Sequence, residues 1–410
     1  MPISRRDLFR LTAAAAAAGT AARGRTARAA ATAAVQGPDP LGVRADFRVT
    51  GRLLHLDTAY IGPVPTAVAD AGAAFCRSKA TRPISLGDMQ AKTDEVRRQV
   101  ARLINASPDE VGFLAATSEG ENLIANALAL GAGDNVVIDE LHYLAEFVLY
   151  KRLEQTRGVE LRIARADDGA VTPAAFERLV DGRTRLVSVA LVSNQNGWRH
   201  DLRALADLAH AHGAWLYTDA IQALGALAID VRATGVDALC SGTYKWLHAG
   251  YGVAPFYVRR EILDRVPPDR WGALHVERTH PGYRYDIYTT ARKYEYATLA
   301  FGAVYQLGAA LTYLDRVGVP RIEAYVTALA ARLSRGLRER KLDVLTPAGT
   351  ASPIVAFRNP ADPAAARKVF QEAGVQVSFR ENGTQVRVSP ALFNVEADVD
   401  RFLDVAERLR

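Results

Sequence analysis

Cysteine is scarce in this sequence of 410 residues, and no long apolar run occurs in it. The two cysteines are Cys76 and Cys240, so at most one disulfide can form within the chain. The sequence leaves open whether that bond exists. The alanine-rich stretch near the N-terminus is too short and too interrupted to be a spanning helix. We therefore expect no membrane span.

Excess charge is also missing from most of the chain. The formal net charge is +6, but residues 1–34 alone hold six arginines against one acid. The remaining residues carry 45 basic and 44 acidic side chains, which is close to neutral. Proteins that bind nucleic acid usually carry a concentrated basic patch. This distribution therefore argues against nucleic acid as a partner.

The composition is that of a large folded protein. Apolar residues make up 49% of the chain, which is enough for a sizeable core in two or three folding units. Strand-like apolar segments alternate with helical ones through the middle of the chain, as a parallel sheet covered by helices requires. Three more strands are expected near residues 353–358, 375–379 and 384–388.

The N-terminus has the composition of an export signal. Arg5 and Arg6 are paired and precede an alanine run, and small residues near Ala27 and Ala29 suit a signal peptidase. This segment resembles a twin-arginine signal, which implies export machinery as a partner and a periplasmic or secreted location for the folded protein. The alternative is a disordered tail of alanine and arginine.

Residues 215–252 contain the strongest functional signal. An apolar run ends at Asp219, and a second run, residues 236–240, leads into Lys245. In open α/β sheets, ligands bind at the carboxyl ends of the strands. An acid and a lysine are therefore expected at two neighbouring strand ends. Taken singly, Asp219 is as consistent with a helix cap and Lys245 with a solvated side chain.

The residues around Asp219 and Lys245 favour a functional role for both over these alternatives. The segments TDAIQALGALAIDV, VDALCSGTYKWL and YGVAPFYVRRE resemble the class V aminotransferase family of fold-type-I enzymes. That family includes cysteine desulfurases, selenocysteine lyases, kynureninase and isopenicillin N epimerase. The resemblance implies pyridoxal 5'-phosphate (PLP) as cofactor. It also implies that Asp219 pairs with the pyridine nitrogen, Gln222 faces the ring hydroxyl and Lys245 is the Schiff-base lysine.

The resemblance implies an α/β fold of two domains, and a homodimer. A large domain is built on a mostly parallel, helix-covered sheet, and a smaller α/β domain follows it. The expected divisions are a signal peptide at 1–34, a linker and N-terminal segment at 35–65, the PLP-binding domain at 66–300 and the small domain at 301–410. Thr298 follows Ala297 where the family has a Gly-Thr pair whose threonine reaches the partner subunit's cofactor. The loss of that glycine puts the close backbone approach in doubt.

Several hydroxyl groups are candidates for the cofactor phosphate. Thr117 and Ser118 begin a helix after a strand, where free N–H groups attract anions. The same residues equally suit a helix cap that needs no ligand, with Glu121 as its third residue. By the resemblance this helix start binds the phosphate. Ser241 and Thr243 are further candidates, and the sequence does not decide between them.

The resemblance also assigns residues around the ring and the substrate. His142 falls where the family places a ring against the pyridine, and the neighbouring Tyr143 is the alternative. Ser193 and Asn194 resemble the family's pair near the ring hydroxyl. Arg387 corresponds to the arginine that grips the substrate carboxylate, which suits a guanidinium with its two parallel donors.

Together with the resemblance, these features predict a PLP enzyme of the aminotransferase type that acts at Cα of an amino acid or amino-acid-derived small molecule through a Lys245 aldimine. A lyase or epimerase on the same scaffold is the alternative, and a non-catalytic PLP-fold binding protein is the second. No metal site is expected. Cysteine desulfurase is judged unlikely, because no cysteine follows Cys240 and Tyr244 replaces histidine before the lysine.

Overall fold

The computed structural model of the protein describes residues 37–410, so the predicted signal at 1–34 lies outside the described residues. The strands of the described part are β1 Leu54–His55, β2 Val111–Leu114, β3 Asn135–Asp139, β4 Glu160–Ala164, β5 Thr184–Ala190, β6 Trp215–Asp219, β7 Ala238–Cys240, β8 Ala254–Val258, β9 Val276–His280, β10 Arg284–Ile287, β11 Val355–Arg358, β12 Val375–Gln376, β13 Ser378–Arg380 and β14 Gln385–Val388.

Helices separate most of these strands. They are α1 Thr66–Thr81, α2 Leu86–Leu103, α3 Thr117–Ala127, α4 Leu144–Arg157, α5 Pro173–Glu177, α6 Leu202–Ala211, α7 Val231–Thr234, α8 Arg260–Leu263, α9 Phe301–Val317, α10 Val319–Glu339, α11 Pro363–Glu372 and α12 Glu396–Glu407. None of these helices has the length and apolar character that crossing a bilayer would require.

Seven strands form the central sheet, in the order β2, β8, β7, β6, β5, β3, β4. The pairs from β7 to β4 are parallel, and β8 runs antiparallel to both of its neighbours. The buried strands are rich in valine and leucine because both faces of the sheet are covered. Along β5, Val187 and Val189 pack with Leu205 of α6, whereas Leu186 packs on the opposite face with Leu123 of α3. The predicted mostly parallel, helix-covered sheet is confirmed.

The C-terminal part adds a second, smaller sheet. Strands β11, β14 and β13 form an antiparallel sheet, and α10, α11 and α12 enclose a core cluster against it that includes Phe357, Phe370 and Phe402. Strand β1 pairs in parallel with β12, so the N-terminal segment contributes to this part of the molecule. The domain boundary near residue 300 stays a prediction.

A partly buried ion pair also joins the two ends of the described chain. The guanidinium of Arg44 donates to both carboxylate oxygens of Asp398, at 2.5 and 3.0 Å. Asp398 is fully buried and also accepts hydrogen bonds from Asn394 and from the backbone of Val395. The pair therefore attaches the N-terminal segment to the start of α12.

Removing this arginine should destabilise the fold. In Arg44→Ala the Asp398 carboxylate keeps its burial but loses its counter-ion, and we expect a loss of about 3 kcal/mol in the free energy of unfolding. Urea denaturation measures it. Arg332→Ala is the control, because Arg332 pairs with Asp400 at the surface and should cost about 1 kcal/mol or less. Equal losses in the two variants would contradict the expectation.

Candidate active site

A cavity of about 260 Å³ opens at the carboxyl ends of the central parallel strands. Asp219 ends β6, and it pairs in register with Ala190 at the end of β5 and with Cys240 at the end of β7. Lys245 follows β7 by one short turn. The predicted residues that line the cavity are Thr117, Ser118, Asn194, Asp219, Gln222 and Lys245. The topology thus brings together side chains that lie far apart in the sequence.

The electrostatics of Asp219 and Lys245 are set mainly by burial. Asp219 is 4% exposed, and burial raises its pKa to about 6, although the Ile221 N–H and the charge of Lys245 oppose the shift. Burial lowers the pKa of Lys245 to about 8, against the opposing effect of Asp219. A lysine in this state is partly neutral near neutral pH, which is the form that acts as nucleophile or base.

One end of the cavity is shaped to receive an anion. The side chains of Thr117 and Ser118 line it at the start of α3, and the Gly242 N–H donates to Thr117 Oγ1 at 2.8 Å. A Cβ on Gly242 would lie 2.9 Å from Ile221 Cδ1 and 3.3 Å from Thr117 Oγ1. The missing side chain therefore keeps space open beside the helix N-terminus, where an anion is favoured.

A charged pair lies beside this helix start. The Glu119 carboxylate accepts the Ala115 N–H at 2.7 Å and is paired with Arg270. Arg270 comes from the irregular region after α8 and compensates the acid next to the anion site. Arg270 is not recognisable from the sequence, because nothing in its neighbourhood marks a contact with a residue 151 positions earlier.

Loss of the Thr117 hydroxyl should weaken binding of a phosphate group at this end. Thr117→Val keeps the side-chain shape but removes the acceptor for Gly242 and one donor to an anion. We expect PLP affinity to fall by about 10- to 100-fold, the usual effect of losing a hydrogen bond to a charged group. Equilibrium titration of apoprotein with PLP measures it. Thr156→Val is the control, since Thr156 bonds only the Arg152 carbonyl on α4. Unchanged affinity in Thr117→Val would contradict the assignment.

Ser241 and Thr243 do not line the cavity. The Ser241 hydroxyl donates to the Gly242 carbonyl at 3.1 Å, and the Thr243 hydroxyl donates to the carbonyls of Gly250 and Val253 at 2.5 and 3.0 Å. Both side chains are buried. They brace the turn that carries Lys245, and Gly242 between them faces the cavity instead.

His142 also lies behind the cavity wall. Its Nε2 is 3.1 Å from Ser188 Oγ, its Nδ1 accepts the Tyr143 N–H at 2.8 Å, and burial lowers its pKa to about 4. Tyr143 is 46% exposed and lines the cavity. The structure therefore brings Tyr143, the alternative considered from the sequence, to the position expected for His142.

Gln222 is held from both sides. Its Nε2 donates to the Ala59 carbonyl at 3.0 Å, and its Oε1 accepts the Trp246 indole N–H at 3.0 Å. This fixes the orientation of the amide and leaves its second hydrogen for a ligand in the cavity. Ala59 belongs to the N-terminal segment, which therefore supports a residue of the cavity wall from behind.

Arg387 is 1% exposed and bonds to the protein rather than lining the cavity. Its Nη1 donates to the Asn194 carbonyl at 2.8 Å, and its Nη2 donates to Ser378 Oγ at 3.2 Å. Asp57 lies 3.9 Å from Nη2. Burial lowers the pKa of Arg387 to about 10. Its contact with a substrate carboxylate stays a prediction.

Thr298 is not brought to this cavity. It is exposed and lines a separate concavity together with Phe75 and Tyr251. Its predicted contact with the cofactor of a partner subunit therefore stays a prediction. Tyr251 borders both concavities and stacks on Tyr244, with ring centroids 4.5 Å apart.

Two buried acids lie behind Asp219. Glu121 accepts hydrogen bonds from Tyr150 at 2.7 Å and from Ser188 at 2.5 Å. Burial raises the pKa of Glu121 to about 8 and that of Glu146 to about 10. Both are therefore protonated near neutral pH. The sequence indicated Glu121 only as part of a helix cap, because a charged residue early in a helix usually faces solvent.

Three comparisons relate this chain to known proteins. The family model described as "Aminotransferase class-V" matches residues 56–402. A cysteine desulfurase of Klebsiella pneumoniae is 30% identical over 397 residues, which cover 90% of this chain and 97% of that protein. The apo structure of a cysteine desulfurase from Thermococcus onnurineus NA1 superposes with a TM-score of 0.82 at 24% identity, covering 91% of this chain and 98% of that one.

A further solved structure contains the cofactor. A mutant of C-DES with glycine covalently linked to its PLP has a TM-score of 0.82 at 17% identity, covering 90% of this chain and 99% of that one. These structural likenesses show a fold-type-I architecture.

The comparisons correct one expectation. The expectation of a transferase, with cysteine desulfurase unlikely, is wrong, because the Klebsiella relative is itself named a cysteine desulfurase. The absence of a cysteine after Cys240 concerns a single loop position, whereas the similarity extends over 90% of the chain.

Proposed function

Because this chain belongs to the aminotransferase class-V family of PLP-dependent enzymes, we propose that it is a lyase that breaks the bond between Cβ and sulfur in cysteine or a related amino acid. The observation that carries the proposal is the half-buried Lys245 with the buried Asp219 in one cavity at the strand ends. The name of the Klebsiella relative supports the choice of a carbon–sulfur bond.

The residues of the cavity fit PLP. Gly242 leaves room beside Thr117 and Ser118 for a phosphate, Asp219 offers a buried carboxylate to a ring nitrogen, and Lys245 offers a partly neutral amine to an aldehyde. When bound, PLP supplies an electron sink for the electron pair of a bond broken at Cα.

We propose that Lys245 acts as the proton-transfer group of the reaction. Its lowered pKa lets Nζ accept the proton from Cα of the substrate near neutral pH and later deliver a proton to the product. Asp219 keeps a negative charge in a buried position, where a charged partner has a larger effect than in water. Tyr143 closes the cavity from the solvent side and limits the access of water.

Product analysis with L-cysteine tests the proposal. Loss of the Cα proton and cleavage of the Cβ–S bond gives either alanine, with the sulfur passed to a thiol, or pyruvate, ammonia and sulfide. We expect one of these product sets from the PLP-loaded wild type, formed about 10²- to 10⁴-fold more slowly by Lys245→Ala. Conversion of L-cysteine only to its keto acid, with the sulfur retained, would overturn the proposal.

The two cysteines allow a test of whether the released sulfur is bound by the enzyme. Cys240 is buried and Cys76 is exposed on α1. Comparing the wild type with Cys76→Ser, with and without a small thiol in solution, separates sulfur bound to the enzyme from sulfur passed directly to the solute. Mass spectrometry of the intact protein detects the added sulfur.

We also propose a homodimer and export of the folded enzyme. The dimer rests on Thr298, which is exposed beside the cavity residue Tyr251, and light scattering of the purified protein tests it. Export to the periplasm or medium rests on the arginine pair at positions 5 and 6. Fractionation of cells that express the wild type and the variant with both arginines changed to lysine tests it. Retention of both the wild type and the variant inside the cell would contradict the proposed export.

A further inference from the structure

A network of hydrogen bonds lies behind the wall of the cavity. Its central acceptor is Glu121 Oε1, which accepts the hydroxyls of Tyr150 at 2.7 Å and of Ser188 at 2.5 Å. Ser188 Oγ in turn lies 3.1 Å from His142 Nε2. All four side chains are buried, and they come from α3, α4, β5 and the turn after β3. The network thus ties four elements together at the back of the site.

The direction of each hydrogen bond can be assigned. His142 Nδ1 accepts the Tyr143 N–H at 2.8 Å, so the proton of the neutral imidazole lies on Nε2. Burial lowers the pKa of His142 to about 4, which keeps the ring neutral near pH 7. Nε2 therefore donates to Ser188, and the Ser188 hydroxyl uses its single proton to donate to Glu121. The network runs in one direction, from a backbone N–H to a carboxyl oxygen.

The donor end of the network belongs to a residue of the cavity wall. Tyr143 lines the cavity, and its side chain makes no hydrogen bond within residues 37–410. The peptide group before it is held on both sides, because the His142 carbonyl accepts Gln195 Nε2 at 3.4 Å while the Tyr143 N–H donates to the imidazole. The direction of the Tyr143 ring therefore depends on the backbone that carries it.

We propose that Glu121 is a positioning residue that, through this network, holds the Tyr143 ring at the wall of the PLP cavity. Glu121 itself does not line the cavity. Without its oxygen the Ser188 hydroxyl and the His142 imidazole would be free to rotate, and the Tyr143 N–H would lose its fixed acceptor. A carboxyl group suits this position because one oxygen accepts two hydrogen bonds at once. The inference takes PLP to occupy the cavity and does not depend on the proposed lyase reaction.

Hydrogen exchange of the apoprotein tests the network without the cofactor. Glu121→Leu removes the acceptor, and we expect the Tyr143 amide to exchange about 10-fold faster, the effect of losing one net hydrogen bond. Ser188→Ala breaks the network at its middle and should have the same effect. Glu121→Gln keeps an accepting oxygen on a side chain of equal length and should exchange as the wild type does. Mass spectrometry with fragmentation resolves the amide.

A double-mutant cycle on PLP affinity tests whether Glu121 acts through Tyr143. Tyr143→Ala should weaken PLP binding by about 10-fold, roughly the effect of one aromatic contact. Glu121→Leu should weaken it by about 3- to 10-fold, because the ring is present but no longer held. The double variant should bind PLP no more weakly than Tyr143→Ala alone, since the group that Glu121 positions is gone. Titration of apoprotein, followed by the visible circular dichroism of bound PLP, measures these affinities.

Glu146→Leu is the matched control. Glu146 is also a buried acid, it lies one turn before Tyr150 on α4, and its Oε2 has no hydrogen-bond partner in the described part of the chain. The variant therefore removes a buried acid and leaves the network intact. Exchange at Tyr143 and PLP affinity should match those of the wild type.

The outcomes are distinct. Additive losses in the double variant, or equal effects of Glu121→Leu and Glu146→Leu, would show a general packing role and overturn the inference. Unchanged exchange at Tyr143 in both Glu121→Leu and Ser188→Ala would overturn it as well. A wild type that shows the expected exchange and affinities but leaves L-cysteine intact would contradict the lyase reaction and support the positioning role.

Discussion

Replacing Lys245 by alanine should lower the rate of product release from L-cysteine by about 10²- to 10⁴-fold, the range for loss of a positioned proton-transfer group. The structure explains this because Lys245 lines the cavity and has a pKa lowered to about 8. The variant should also lose PLP during gel filtration, because the amine that holds the aldehyde is gone. Single-turnover product analysis and cofactor absorbance after desalting measure the two effects.

Rescue and a matched control sharpen this test. A small amine added to Lys245→Ala should restore part of the rate, since it occupies the vacated space and accepts the proton. Lys151→Ala removes a surface lysine that pairs with Glu154 at 2.7 Å and should behave as wild type. Full activity in Lys245→Ala, or a colourless wild type, would contradict the proposed role of Lys245 in holding PLP and transferring the proton.

Replacing Asp219 by asparagine should lower the rate by about 10²- to 10³-fold, as loss of a preorganised electrostatic group does in other enzymes. The side chain keeps its shape and its bond to the Ile221 N–H, so the loss would be one of charge. Steady-state assays at saturating PLP measure it. Asp207→Asn serves as control, because Asp207 pairs with Arg203 at the surface of α6.

The same variant has a signature in its pH dependence. The neutral amine of Lys245 exists above its pKa, so PLP uptake by wild-type apoprotein should rise with pH through a midpoint near 8. Asp219 raises the pKa of Lys245, so its removal should move that midpoint to lower pH. Stopped-flow uptake across pH measures it. A midpoint that is unchanged or higher would contradict the assigned contact.

The parts of the site that the sequence predicted are those tied to strand and helix ends. Asp219 was predicted because a buried apolar run stops at an acid, and parallel strands place such residues at one edge. Thr117 and Ser118 were predicted because a helix starts there. These inferences need only the type and order of the elements, and resemblance to the family supplied the identity of the cofactor.

The parts that the sequence missed depend on the direction of single side chains in irregular turns. One step in sequence separates His142, behind the wall, from Tyr143, which lines the cavity. Likewise, Gly242 lines the cavity, whereas its neighbours Ser241 and Thr243 do not.

The contacts between the two ends of the described chain determine when folding can be completed during synthesis. Arg44 and Asp398 are 354 positions apart, and β1 pairs with β12 late in the chain. During synthesis β1 and Arg44 therefore have no partner until nearly the whole chain has been translated. Closure of the molecule is therefore a post-translational event, and a nascent chain that stops short of β12 would carry β1 as an unpaired strand.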